Sequence, residues 1–220
     1  QGAVAGAAAG SLVAAVCVLA LGAPRWTMLV ALVPAAAAAW VAHPILVLPR
    51  LRARQRKRRD ETVLAWTAAL LCGPGVALLA IAAALSTDPR PGVACVWLAV
   101  FGWAGFAVHG MLCRIVPFLV WLHRLSPLVG RVPVPAVRQL MPQERIRSAL
   151  MAHGVALVLG LAAIASGWDA AARVTGAALV LVGALLGRNL VDVLRFRLEG
   201  GPVLAGVPPR GIPVIIASER

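Results

Sequence analysis

Four histidines, His43, His109, His123 and His153, are the residues of this chain best suited to chemistry at neutral pH. Neutral imidazole binds copper, zinc and iron, and an ionisable group inside a bilayer is a functional candidate by default. Each of the four stands within or beside a long apolar stretch. If those stretches are helices, His43, His109 and His153 fall at similar depth, roughly 5–9 Å below one membrane surface at about 1.5 Å per residue. They form the candidate ligand set, for haem iron or a transition-metal ion. A structural role, with each ring hydrogen-bonded to a backbone carbonyl or water, is the alternative.

Other reactive residue types carry less. Arg114 and Arg188 fall near helix ends, where a long side chain reaches the headgroups. Asp192 follows Arg188 by four residues, an ion-pair spacing on a helix. Asp88, Glu144 and Asp169 belong to loops or helix ends, so no carboxylate is expected in mid-membrane, which argues against proton-coupled transport. Cys17, Cys72, Cys95 and Cys113 form no CxxC pair and read as small buried apolar residues. Gly73-Pro74-Gly75 is the best candidate for a broken helix, whose unwound backbone could line a solute site; a packing kink is the alternative and the favoured reading. Hydrolase, kinase, dinucleotide-binding and P-loop motifs are absent from the sequence.

The elements that must position these residues follow from composition. Hydrophobic residues make up 61% of the chain, charged ones 13%, and mean hydropathy is +0.88. Soluble domains carry about 25% charged residues. A bilayer core needs about 20 apolar helical residues per crossing. Six stretches meet or approach that length: 3–21, 27–48, 63–85, 93–114, 149–166 and 170–190. The first has neither a basic leader nor a cleavage motif and is expected to be a retained span. Residues 201–220 read as a Gly/Pro-rich cytoplasmic tail. The expected fold is therefore all-α, a polytopic transmembrane bundle of about six helices.

Arginine placement orients it. The run 50–59 carries seven basic residues, the loop after the fourth span adds Arg124, Arg131, Arg138, Arg145 and Arg147, and the tail adds Arg195, Arg197, Arg210 and Arg220. The opposite loops hold Arg25, Arg90 and Arg173. The positive-inside rule then gives both termini in the cytoplasm. The net charge of +13 is thus read as topology signal and contact with anionic lipid headgroups at 50–59, not as nucleic-acid binding. One lysine, Lys57, among 21 basic residues suits a GC-rich bacterial genome and an inner-membrane location.

The fourth apolar stretch is too long for one crossing. From Val93 to His123 it would extend roughly 46 Å against about 30 Å of hydrocarbon. Pro117 removes a backbone donor, so the crossing is expected to end near Cys113–Arg114. Residues 115–128 would then turn toward the interface, with Arg124 snorkelling. His109 and His123, fourteen apart, would return to one face about 21 Å away on a straight helix. Di-haem cytochromes b use that spacing on two helices, and here no second helix has the pair.

Within this stretch, Gly102-Trp103, Gly110 and Ile115-Val-Pro-Phe-Leu-Val-Trp121 resemble a helix of bacterial membrane proteins distantly related to subunit I of haem-copper oxidases, in the nitric-oxide-reductase-like branch. The resemblance spans residues 101–140. The chain lacks that family's closely spaced histidine pair and its copper-site histidine cluster. What the resemblance implies is an accessory or redox-linked relative of respiratory oxidase subunits, without catalytic activity on its own, holding haem b or a transition metal. Two alternatives stand beside it. The Gly-Pro-Gly segment suggests a small-solute transporter or channel. Gly2, Gly6 and Gly10, with Ala156 and Gly160, suggest a scaffold that binds membrane partner subunits through small-residue faces.

Overall fold

The computed structural model describes residues 25–53 and 60–196, with scattered positions between 6 and 22. Most of the expected first span (3–21), the basic residues 54–59 and the tail 201–220 lie outside the described residues. The described chain is an all-α bundle with five helices long and apolar enough to cross a membrane. It is a multi-pass membrane protein.

Helix α1 comprises Arg25–Ala37, a π-helical turn Ala38–Ala42, and His43–Arg52. Its π turn precedes Pro44, which lacks an N–H to donate. The His43 N–H reaches back five residues to Ala38, and this wider turn accommodates the proline within a continuous helix. Helix α2 is Glu61–Leu85, capped by Asp60, whose carboxylate accepts the Thr62 N–H at 3.1 Å. Helix α3 starts at Arg90 and runs through Leu128, with π-helical turns at Leu98–Ala104 and Trp121–Leu125. Helix α4 is Gln143–Ser166 and α5 is Asp169–Leu194; they pair most extensively, through a tight turn at Gly167 with φ +66°.

Small residues draw these helices together. A Cβ on Gly73 would stand 2.8 Å from the Trp40 carbonyl oxygen, and one on Gly110 would stand 2.8 Å from the Ala65 Cβ. At Gly160 a Cβ would stand 2.1 Å from the Trp97 ring, so α3 meets α4 there without any intervening side chain. Large apolar side chains also cover the outside of the bundle: Leu78, Leu85 and Val180 are 68%, 83% and 73% exposed, while Thr62, Thr175 and Asn189 are buried beside an apolar core. Apolar groups facing outward and polar ones facing inward are what a hydrocarbon solvent requires.

Local expectations are refined by the structure. Gly73-Pro74-Gly75 does not break α2: α-helix continues from Glu61 to Leu85, and the glycines serve close approach, Gly73 to α1 and Gly75 to the Leu98 side chain. Pro117 does not interrupt α3. Helix continues through Pro117 to Val120, and the change of winding comes later, at Trp121–Leu125. There the Trp121 indole donates to the Pro135 carbonyl at 3.0 Å and ties the following loop to the helix end. Arg124 does more than snorkel, since its guanidinium donates to the Leu194 carbonyl at the C-terminal end of α5, where a cation complements the helix dipole. Asp192 pairs with Arg145 across helices at 2.7 Å instead of with Arg188 along its own.

Candidate functional site: a buried histidine pair

Two of the three candidate ligand histidines meet. His109 on α3 and His153 on α4 are 2% and 6% exposed, and their Nδ1 atoms lie 3.2 Å apart with ring centroids 5.5 Å apart. His43 does not join them: it is exposed on α1, and no group of three His, Cys, Asp or Glu side chains among the described residues forms a metal-ligand cluster. His123 is exposed on the π turn Trp121–Leu125.

The local backbone prepares the pair. In the π turn Leu98–Ala104, the Gly105 N–H reaches the Val100 carbonyl, five residues back. In an α-helix it would bond Phe101, so the register change frees the Phe101 carbonyl, and His153 Nε2 lies 2.8 Å from it. Gly105 lets His153 approach closely at this point: a Cβ would stand 3.1 Å from both Cε1 and Nε2 of His153 and push the ring back by a few tenths of an ångström. On its other side the His153 ring stacks on Phe106, with centroids 4.3 Å apart and planes 14° from parallel.

These contacts assign the protons. A carbonyl oxygen only accepts, so His153 Nε2 carries the N–H and donates to Phe101. With both rings neutral, His153 Nδ1 is then a lone pair, which must accept the Nδ1–H of His109. His109 Nε2 is left as a bare lone pair. That atom is buried and has no hydrogen-bond partner among the described residues. The arrangement is the one seen around a metal-bound imidazole, in which one ring nitrogen ligates while the other donates to a fixed acceptor that orients the ring.

The environment sets the size of what His109 can take. Just beyond Phe106, an apolar groove of about 520 Å³ opens between α2 and α4, lined by Leu64, Leu150, Met151 and Val158 among others. Phe106 closes it off from the histidines, and its ring is 7% exposed. His109 Nε2 has essentially no accessible surface, so a haem macrocycle does not fit against it in this packing.

Sequence reasoning had no means of finding Phe101, Gly105 and Phe106 as partners of His153, because the π turn that aims them has no established spacing signature. Asn189 was also missed; it is 2% exposed on α5 and donates Nδ2–H to the Arg145 carbonyl at 3.2 Å. A lone amide in an apolar run was the available signal.

The chain matches no family model, no curated protein and no solved structure.

Proposed function

We propose that this chain is a multi-pass protein of the bacterial inner membrane with both termini in the cytoplasm, an accessory or redox-linked relative of respiratory oxidase subunits. Its functional residue is His109, which takes a transition-metal ion through Nε2. The observation that carries the reading is the one-way hydrogen-bond chain His109 Nδ1–H to His153 Nδ1, and His153 Nε2–H to the Phe101 carbonyl, which leaves the remaining lone pair buried without a partner. Further support comes from the Gly102–Trp121 run, which lies on the same helix as His109.

A bound ion would stabilise the otherwise unpaired acceptor and would be held in one orientation by His153. His153 acts as a positioning residue, fixing the tautomer of His109 without touching the ion. The Phe101 carbonyl fixes His153 in turn.

The test is metal analysis of the full chain purified in mild detergent, with oxidised and dithionite-reduced visible spectra on the same sample. Near-stoichiometric metal, lost on His109→Asn in a folded protein, is the expected result. A Soret band that disappears with His109 would overturn the small-ion reading in favour of haem. A featureless spectrum with no bound metal would remove the redox-linked role altogether.

A further inference from the structure

A second cavity, of about 430 Å³, lies where α2 and α4 begin, beside the second half of α3. Its lining divides in two. Cys113, Pro117 and Ile146 supply buried apolar surface, while Arg114, Arg138 and Asp60 bring charge. Both arginines are exposed, Arg114 on α3 and Arg138 on the short 3-10 turn Val137–Gln139 that precedes α4.

The sign of the cavity follows from these groups. Two guanidiniums against one carboxylate leave the lining positive. Asp60 is also engaged locally, accepting the Thr62 N–H as the cap of α2. Glu61 and Glu144, the acidic residues in the first turns of α2 and α4, are not on the lining. The start of α4 adds to the positive sign. Its first residue, Gln143, lines the cavity, and Pro142 ahead of it offers no side-chain cap. An uncapped helix N-terminus carries partial positive charge and unsatisfied N–H groups. The Gln143 side-chain oxygen is turned toward α2, where it accepts the Glu61 N–H at 3.2 Å and ties the two helix starts together. A cavity of this sign disfavours a bare cation and favours an anion, and the planar fork of arginine matches the oxygens of a phosphate.

Depth points to the source of that phosphate. Helices α2 and α4 run inward from this end, so Leu64 on α2 and Met151, Val155 and Val158 on α4 lie deeper than the cavity. These side chains line the apolar groove beyond Phe106, and the last three are 60%, 57% and 63% exposed. A molecule anchored by its phosphate at the arginines therefore has lipid-facing apolar surface beneath the anchor. Basic pockets between transmembrane helices at a membrane surface hold anionic headgroups in this way. A free phosphate ion would make no use of the apolar surface.

We infer that this cavity binds the phosphate of one anionic phospholipid, with Arg114 and Arg138 as its charged donors and the acyl chains in the bilayer beneath. The inference is independent of metal binding at His109. It differs from general attraction of lipid to the basic run 50–59 in naming one site that holds one molecule.

The experiment is a lipid titration of the purified full chain in mild detergent, read by native mass spectrometry. Phosphatidylglycerol is the anionic probe, with phosphatidylcholine and inorganic phosphate as comparisons. One phosphatidylglycerol per chain is expected, at concentrations where neither comparison is retained. Loss of a charge-assisted hydrogen bond should make R114Q and R138Q each weaken retention roughly tenfold or more. Arg147 is exposed near the start of α4 and absent from the lining, so R147Q is the control. It should lose about fivefold at most, the size of generic attraction between one arginine and an anionic lipid. Equal losses in the three variants would overturn the site, and so would phosphatidylcholine retained as tightly as phosphatidylglycerol. Inorganic phosphate that displaces the lipid would overturn the lipid assignment in favour of a free-phosphate site. If R114Q does not fold, unchanged retention in R138Q overturns the site equally.

Discussion

Gly160→Ala should destabilise the bundle far more than a single methyl group suggests. The added Cβ would stand 2.1 Å from Cζ2 and 2.2 Å from Cε2 of Trp97, well inside contact distance. The ring has little room to yield. It packs on Phe101 with centroids 4.2 Å apart, and its Nε1–H donates to the Leu157 carbonyl at 3.1 Å. Overpacking costs about 1–3 kcal/mol and an orphaned buried N–H about 1–3 kcal/mol, while alanine returns up to about 1 kcal/mol in helix propensity. A net loss of about 2–4 kcal/mol follows. Reversible unfolding in mixed micelles would measure it, with Gly176→Ala on α5 as the control, since nothing lies within 4 Å of a Cβ there. In the double-mutant cycle with Trp97→Ala the two effects should fall well short of additive. A Gly160→Ala protein within about 0.5 kcal/mol of wild type, the range of an ordinary surface substitution, would refute the packing of α3 on α4 and with it the approach of Phe101 to His153.

Gly73→Ala should lose about 1–3 kcal/mol by overpacking against the Trp40 carbonyl, whereas Gly183→Ala, which meets nothing within 4 Å, should be close to neutral in the same assay. His153→Phe should weaken metal binding about 10–100-fold without abolishing it, because it removes the acceptor that orients His109 and spares the ligating nitrogen; chelator competition would show this, and complete loss would make His153 a ligand itself. Replacing both histidines together, H109L/H153L, should keep the bundle nearly as stable as wild type while eliminating metal, read by unfolding and metal content on one sample. Single cysteines at Thr87 and Arg131, both exposed and placed in a background lacking the native four, should react with an impermeant thiol reagent from the periplasmic and the cytoplasmic side respectively. Labelling of both from one side would contradict the six-span topology.

The bundle was legible in the sequence because the bilayer constrains composition so strongly. Runs such as 63–85 and 149–166 have no reading in water that would leave Leu78 or Val158 exposed to solvent, and both are exposed in the fold. The structure shows capping residues at two of the helix ends: Asp60 starts α2 and Gly167 ends α4. Pro117 gave the place of a lost donor but not the change of winding, which comes at Trp121–Leu125 after helix continues through Pro117. The small-residue interval Ala156–Gly160 was correctly marked as a close-approach face, yet the occupant is Trp97 of the same chain and not a partner subunit. Equal depth brought His109 and His153 together as candidates. Lateral position decided that they touch and that His43 does not join them, and lateral position in a bundle comes from packing details such as Gly105 and the π turn.

The energetics of the histidine pair favour a role beyond holding the fold. A buried acceptor without a partner costs about 1–3 kcal/mol, and two leucines in place of the rings would remove that cost together with the cost of desolvating two imidazoles. The bundle does not need the pair for cohesion, since its core closes on Ala65, Ala69, Leu70 and Val76, all at 0–1% exposure. What the pair does supply is direction. Each hydrogen bond in the chain from His109 to Phe101 has one possible donor, and the end left open is His109 Nε2. The Trp97 indole is satisfied at Leu157 and the Trp121 indole at Pro135, while Trp40 Nε1 and Asn189 Oδ1 share with His109 Nε2 the lack of a hydrogen-bond partner among the described residues. On the proposed reading a ligand completes the open lone pair, so occupancy at His109, more than stability, is the quantity to measure.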